Sequence, residues 1–340
     1  MRVTKDSLLR IAKETVQERA YNDTDIVAAY LTGSLRDEPM LGGTADIDIV
    51  FVHKNTPMKP REFVKLTPDF HIDISRRAKD DFKSPRELRA DPWLGYEMYD
   101  PILLYEREKF FDFVQASLRA GFEFEQPPLM LQRCRTLLSH GRGAWFDISE
   151  HDNEVGPKEI RKYMKSLFHA VNAVAELSGP PVWERRFLLD FPARAEAVQK
   201  PGMVAAVYGL LGANHVVADK VKSWLSDWKH AFKLAAETSG VDVRIHTSRL
   251  NYYEKAIKAL LDGETPLSAL WPALHTWTLS AEVLSGDHLK FWQGACNALG
   301  LLEGFSERVE GLDHFLDEIE IMFEEIATAN GLDTEPSTGL

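Results

Sequence analysis

Hydrophobic positions follow two different rhythms along the chain. Behind Thr4 and Asp6, either of which can cap a helix, Leu8, Leu9, Ile11, Ala12 and Val16 recur at helical spacing, which predicts a helix over residues 5 to 18. DIVAAYLTGS then reads as a strand ending in Gly-Ser. A turn-rich loop follows, and in DIDIVFVH the residues Asp46, Asp48 and Val50 alternate with Ile47, Ile49 and Phe51, the pattern of a strand with one polar face. EFVKLT and DFHIDISRR form a hairpin-like pair, PRELRADPWLGYEMYD a helix, PILLYE a short strand and EREKFFDFVQASLRAGF a further helix. This mixture predicts a small α+β domain with helices covering one face of its sheet.

Beyond Gln126-Pro127-Pro128 the rhythm becomes helical up to Ala329. Ile160, Tyr163, Met164, Leu167, Phe168, Val171 and Val174 make one apolar stripe, and looser stripes run through 203–237, 250–261 and 305–326. The expected organisation is a mixed-sheet domain over 1–126, an all-helical domain over 127–330 and a disordered tail over 331–340, within the α+β class.

Composition narrows the function. Hydrophobic residues make up 44% and charged residues 27%, as in ordinary folded proteins. Charges interrupt the first twenty residues and no run of about 18 apolar residues follows, so the expectation is a cytoplasmic chain with no membrane partner. Cys134 and Cys296 stand far apart without a partner motif, which argues against a disulfide framework or a zinc site. The net charge of −12 disfavours binding to duplex nucleic acid, which needs a basic face. From Glu303 to Leu340 eleven acidic residues face one basic residue, Arg308, so this end carries most of the surplus.

The chemistry concentrates between Gly33 and Asp73. Alternation on a strand puts Asp46 and Asp48 on one side, about 7 Å apart, and a neighbouring strand within HIDIS can set Asp73 beside them. Three carboxylates in one small space repel unless cations neutralise them. Mg²⁺ suits such an all-oxygen site shared with phosphates, and two ions roughly 3.5–4 Å apart would clamp an in-line displacement. Gly33 and Ser34 suit the phosphate end, where a missing Cβ admits the backbone and a hydroxyl donates to phosphate oxygens; Gly42, Gly43 and Thr44 can shape the same wall.

The stretch YLTGSLRDEPMLGGTADIDIVFV resembles the nucleotidyltransferase superfamily related to DNA polymerase β, whose signature is an apolar strand, Gly-Ser, a loop and Asp-x-Asp on the next strand. The resemblance covers about residues 30 to 105. A compact N-terminal domain before a helical one looks most like bacterial antibiotic-type nucleotidyltransferases and their uncharacterised relatives. It implies a polymerase β-like domain over 1–126, Asp46, Asp48 and Asp73 as ligands to two Mg²⁺ ions, and Gly33 and Ser34 at the nucleotide phosphates. Beside it, Thr44 is a nucleotide-binding candidate from its place in the same wall, and the helical domain over 127–330, which matches no family motif, is expected to bind the acceptor. The implied reaction moves NMP from an NTP, ATP foremost, to an acceptor hydroxyl with release of pyrophosphate. The acidic balance favours a small-molecule acceptor; an RNA 3′ end, a protein hydroxyl, or a nucleotide-binding regulator without turnover are the alternatives.

Secondary candidates surround this core. Basic residues outnumber acidic ones nine to six from Lys59 to Arg89, which makes Arg76, Arg77 and Lys65 candidate phosphate contacts. Glu97 and Glu184 are candidates for a general base or an acceptor contact. Asp69 is the alternative to Asp73. Arg135 and His140 show an Arg-x4-His spacing found in some RNA-cleaving helical domains. The acidic segment Phe305 to Ile326 would attract a cationic acceptor.

Overall fold

The computed structural model describes residues 4–33, 35, 40–122, 126–150 and 154–332. The chain divides into two compact units, Met1–Glu123 and Phe124–Leu340.

The first unit opens with helix α1 (Lys5–Asn22), where the Thr4 side chain accepts from the Ser7 amide and the Ser7 hydroxyl reaches back, satisfying amides that a helix start leaves orphaned. Strands β1 (Ile26–Thr32), β2 (Ala45–His53), β3 (Arg61–Lys65), β4 (Phe70–Ala78) and β5 (Ile102–Glu106) form one mixed sheet in the order β3-β4-β2-β1-β5. Only β2 and β4 run parallel; β3 and β4 make the expected antiparallel hairpin.

Both faces of this sheet are covered, and the expectation of helices on one face is corrected. Leu8, Ala12, Val16 and Ala20 of α1 pack on Leu31, Ile47, Ile49, Phe51, Ile72 and Ile74. On the other face α2 (Pro85–Ala90), α3 (Leu94–Tyr99) and α4 (Phe110–Arg119) bring Leu88, Met98, Phe111 and Leu118 onto Ala28, Tyr30, Val50 and Val52. The cause is visible in β2, whose second face is carboxylate at Asp46 and Asp48 but apolar at Val50 and Val52. Helices therefore cover the far half of that face, beyond the carboxylates.

Two helices replace the single one expected over PRELRADPWLGYEMYD. Pro92 biases Asp91 away from helical backbone, and Asp91 Oδ1 accepts from the amides of Trp93 and Leu94 at 2.8 and 2.6 Å, starting α3 afresh. Helix α4 starts later than its sequence pattern because Glu108 and Lys109 take left-handed backbone angles.

The second unit is built from α5 (Pro127–Ser149), α6 (Pro157–Ala175), α7 (Phe187–Ala197), α8 (Gly202–Leu210), α9 (Ala218–Ala236), α10 (Leu250–Leu261), α11 (Leu270–Ala281), α12 (Asp287–Ala298) and α13 (Phe305–Ala329). The stripe foreseen on α6 is its buried face. Phe187 and Trp271 pack with ring centroids 4.0 Å apart beside Phe168, and the indoles of Trp228 and Trp292 donate to the Thr276 and Thr278 hydroxyls. Among the described residues, no helix is long and apolar enough to cross a membrane.

Candidate active site

The parallel pairing of β2 with β4 sets the site. Register places Asp46 opposite His71 and Asp48 opposite Asp73. Directly opposed residues on adjacent strands lie about 5 Å apart and share a face. Asp46, Asp48 and Asp73 therefore come to one side of the sheet. Asp46 and Asp73 are 3% exposed, while Asp48 is half-buried. Asp69 lies in the turn before β4, outside the strand pairing.

On the other flank of β2, Thr32 of β1 opposes Asp48, and Gly33 follows with φ +78°. A Cβ built on Gly33 would stand 2.0 Å from Asp48 Oδ2, so the carboxylate rests on bare backbone. Only glycine combines this angle with this contact. Ser34 lies outside the described residues. Gly42 and Gly43 take left-handed angles in the turn Leu41–Gly43, and the buried Thr44 donates its hydroxyl to the Leu41 carbonyl at 3.1 Å. That bond closes the turn leading into β2.

Sequence reading missed Arg61, on the edge strand β3. Its Nε donates to Asp73 Oδ1 at 2.9 Å and its Nη2 to Asp73 Oδ2 at 2.6 Å, a bidentate charge-assisted pair. Arg61 is paired with Ser75 in register, so it reaches Asp73 diagonally on the carboxylate face. The only signal for it was alternation in REFVK, which is uninformative until β3 is known to border β4.

The donor set suits a hard divalent cation: Asp46 and Asp48 supply carboxylate oxygens from one strand face and Asp73 a third from its parallel neighbour. The arrangement is not a finished cage. Among the described residues, no group of three or more His, Cys, Asp or Glu side chains stands ready to hold a metal ion. Arg61 occupies both oxygens of Asp73.

Alternation also sorts the cationic candidates. Lys65 opposes His71 and so shares the carboxylate face. Arg76 points to the opposite face, where it and Arg19 of α1 bind Glu62 and hold that carboxyl down to about 2, the Arg19 hydrogen bonds being the largest cause. Arg77 donates to both oxygens of Glu97, at 3.1 and 2.8 Å, and Tyr30 donates to the same carboxylate at 2.6 Å. Burial opposes the Arg77 charge, but Glu97 outweighs it and holds the guanidinium above its ordinary range. Glu97 thus ties α3 to the sheet. Tyr96 and Tyr99 pack on Phe122 in the core.

In the helical unit, Glu184 accepts from the Tyr253 hydroxyl at 2.5 Å and lies 3.6 and 3.8 Å from Arg244 and Arg249. Arg244 also binds Asp242 and touches His275 Nε2 at 3.3 Å, so this nitrogen accepts. His140 packs its ring against His169. Part of the acidic surface of α13 is internally neutralised, since Asp313, Asp317 and Glu320 all bind Arg142 of α5.

This unit should lose stability in mild acid. Burial, with Arg244 beside it, lowers His275 to about 4, and burial with His140 lowers His169 to about 4. Burial opposes the Glu184 charge, but Arg249 and Arg244 outweigh it and bring the carboxyl down to about 2. The unfolded chain takes up protons first in every case, so the histidine contribution is complete above pH 6.5 and is lost as pH falls through 4. That of Glu184 is complete above 4.5 and is lost towards 2. Thermal unfolding followed by tryptophan fluorescence should show a Tm falling from pH 6.5 to 4, and every tryptophan except Trp93 lies in this unit. His275→Gln, which can still accept from Arg244, should flatten that limb; a wild-type Tm constant from pH 7 to 4 contradicts the assignment.

Comparison with known proteins finds no family model and no curated protein that matches the chain.

Proposed function

We propose that the chain is a metal-dependent nucleotidyltransferase that moves NMP, AMP foremost, from an NTP to a hydroxyl of a small-molecule acceptor. The observation that carries this reading is the register of β2 and β4, which sets Asp48 beside Asp73 while Gly33 underlies the Asp48 carboxylate. Asp46 and Asp48 would hold Mg²⁺, and Asp73 would complete the acceptor side. Mg²⁺ bound there supplies neutralisation of triphosphate charge and of the charge that develops in phosphoryl transfer.

The residues of the chain do the positioning. Gly33, having no Cβ, lets the Asp48 carboxylate lie against its backbone, and would present bare backbone to the phosphates beside it. The acceptor oxygen attacks the α-phosphorus in line, the bond to the β-phosphate bridging oxygen breaks, and pyrophosphate leaves. Asp73 would take the hydroxyl proton once its oxygens are released from Arg61. A small acceptor fits the net charge of −12, which disfavours long phosphate backbones.

The test incubates the protein with Mg²⁺ and α-³²P-labelled ATP, GTP, CTP or UTP and separate pools of amino-sugar small molecules, RNA and protein, with EDTA as the blank. Metal-dependent label in the small-molecule pool is the expected result. Label in RNA or protein moves the acceptor class, and nucleotide binding without pyrophosphate release in any pool replaces the enzyme with a nucleotide-binding regulator.

A further inference from the structure

The Arg61–Asp73 pair joins a fixed partner to a movable one. Asp73 is 3% exposed and lies inside the sheet between β2 and β3, whereas the Arg61 side chain is 35% exposed and hangs on the short edge strand. Its guanidinium lies over the Phe63 ring at 5.2 Å, on the same face. Both Asp73 oxygens accept from it. A cation shared by Asp48 and Asp73 competes for that carboxylate and brings a like charge beside the guanidinium. The two occupants therefore disfavour one another, because the fork takes one lone pair on each Asp73 oxygen and the cation meets like charge there.

We propose that Arg61 is an exchangeable guard of the third carboxylate: it occupies Asp73 while the nucleotide site is empty and transfers its guanidinium to the triphosphate when a metal-bound NTP arrives. This inference rests on the nucleotidyltransferase reading. In the empty chain Arg61 offsets the charge of Asp73, one of three carboxylates on this face. When the nucleotide enters, a cation takes over that compensation, and the triphosphate supplies an anion whose geometry matches a guanidinium. Divalent cations alone then bind weakly, and cation with nucleotide binds strongly, because the triphosphate gives the displaced guanidinium an anionic partner. The third carboxylate becomes available when substrate is present.

The exchange predicts opposite signs for two binding reactions of one variant. Mn²⁺ binding is measured by electron paramagnetic resonance and calorimetry, first alone and then with a non-hydrolysable α,β-methylene NTP, for the wild type, Arg61→Ala and Arg61→Gln, with folding checked by circular dichroism. Loss of the guanidinium should tighten Mn²⁺ alone by about tenfold and weaken the Mn²⁺-nucleotide complex by about tenfold, the scale of one charge-assisted pair gained or lost. In an Asp73→Asn background the tightening of Mn²⁺ alone should vanish. A structural role would weaken both reactions together, so Mn²⁺ affinity that is unchanged or lower in folded Arg61→Gln overturns the guard. If neither wild type nor variants bind Mn²⁺ at millimolar concentration, with or without nucleotide, the nucleotidyltransferase reading falls with it. Normal Mn²⁺-nucleotide binding in the wild type with unchanged affinities in the variants overturns the guard alone.

Discussion

Asp48→Asn is expected to lower nucleotidyl transfer by about 10³-fold or more while leaving Tm unchanged or slightly raised. The loss follows from the place of this side chain, which is the register partner of Asp73, shares a strand face with Asp46 and lies against Gly33. Removing one group that stabilises transition-state charge costs about 10²–10³ in rate, and a shared metal ligand should cost at least the upper end. Stability should not suffer, because asparagine preserves the shape and removes one of three like charges. Label transfer and differential scanning fluorimetry on the same preparation separate the two effects. Transfer at the wild-type rate in this variant sinks the assignment of Asp48. Loss of transfer together with a large fall in Tm would instead mark Asp48 as a structural residue.

Gly33→Val is expected to abolish transfer and to cost about 2–4 kcal/mol of stability, the sum of left-handed strain on a β-branched residue and a close contact. The structure provides its own control. Gly43 has nearly the same backbone angle, φ +69° against +78°, but a Cβ there meets nothing within 4 Å. At Gly33 the same atom would stand 2.0 Å from Asp48 Oδ2 and 2.8 Å from its Cγ. Alanine at either position should thus carry similar backbone strain, about 1–2 kcal/mol, but only Gly33→Ala should displace the carboxylate. The expected result is destabilisation by urea unfolding in both, larger in Gly33→Ala, with transfer retained in Gly43→Ala and lost by about 10²-fold in Gly33→Ala. Equal activity in the two alanine variants would show that the Asp48 position does not matter to the reaction.

Several elements were legible before the structure because their causes are local. The Asp-Ile-Asp alternation reports strand periodicity, and Asp46 and Asp48 do share a face of β2. The hairpin of β3 and β4 follows from two apolar runs around a short turn. The helix starting at Lys5 was readable from its cap, and the α6 stripe from its spacing. Where the sequence left candidates open, a non-local partner decided. Arg76 and Arg77 are neighbours in sequence with equal claims on a phosphate, yet alternation sends one to Glu62 on the α1 side and the other to Glu97 on α3. Glu97 and Glu184 were candidates for a base or an acceptor contact against an ion-paired role, and the ion pairs are found: Arg77 and Tyr30 hold the first, Tyr253 and two arginines the second. The helix over 85–100 was misread for a local reason, since Pro92 and the turn chemistry of Asp91 start a new helix there.

By itself the sequence determined the alternation that gathers Asp46 and Asp48, the glycine that turns the chain after β1, and the change from a mixed-sheet rhythm to a helical one. These are properties of backbone geometry and of neighbouring side chains, so they need no knowledge of distant residues. Only the tertiary structure decided that β2 lies parallel to β4 with Asp48 opposite Asp73, that both sheet faces are covered, and that Arg61 closes on the third carboxylate. Strand order and register are set by which apolar faces bury one another across long stretches of chain. A cation on an edge strand finds its carboxylate only after that burial has chosen the neighbours.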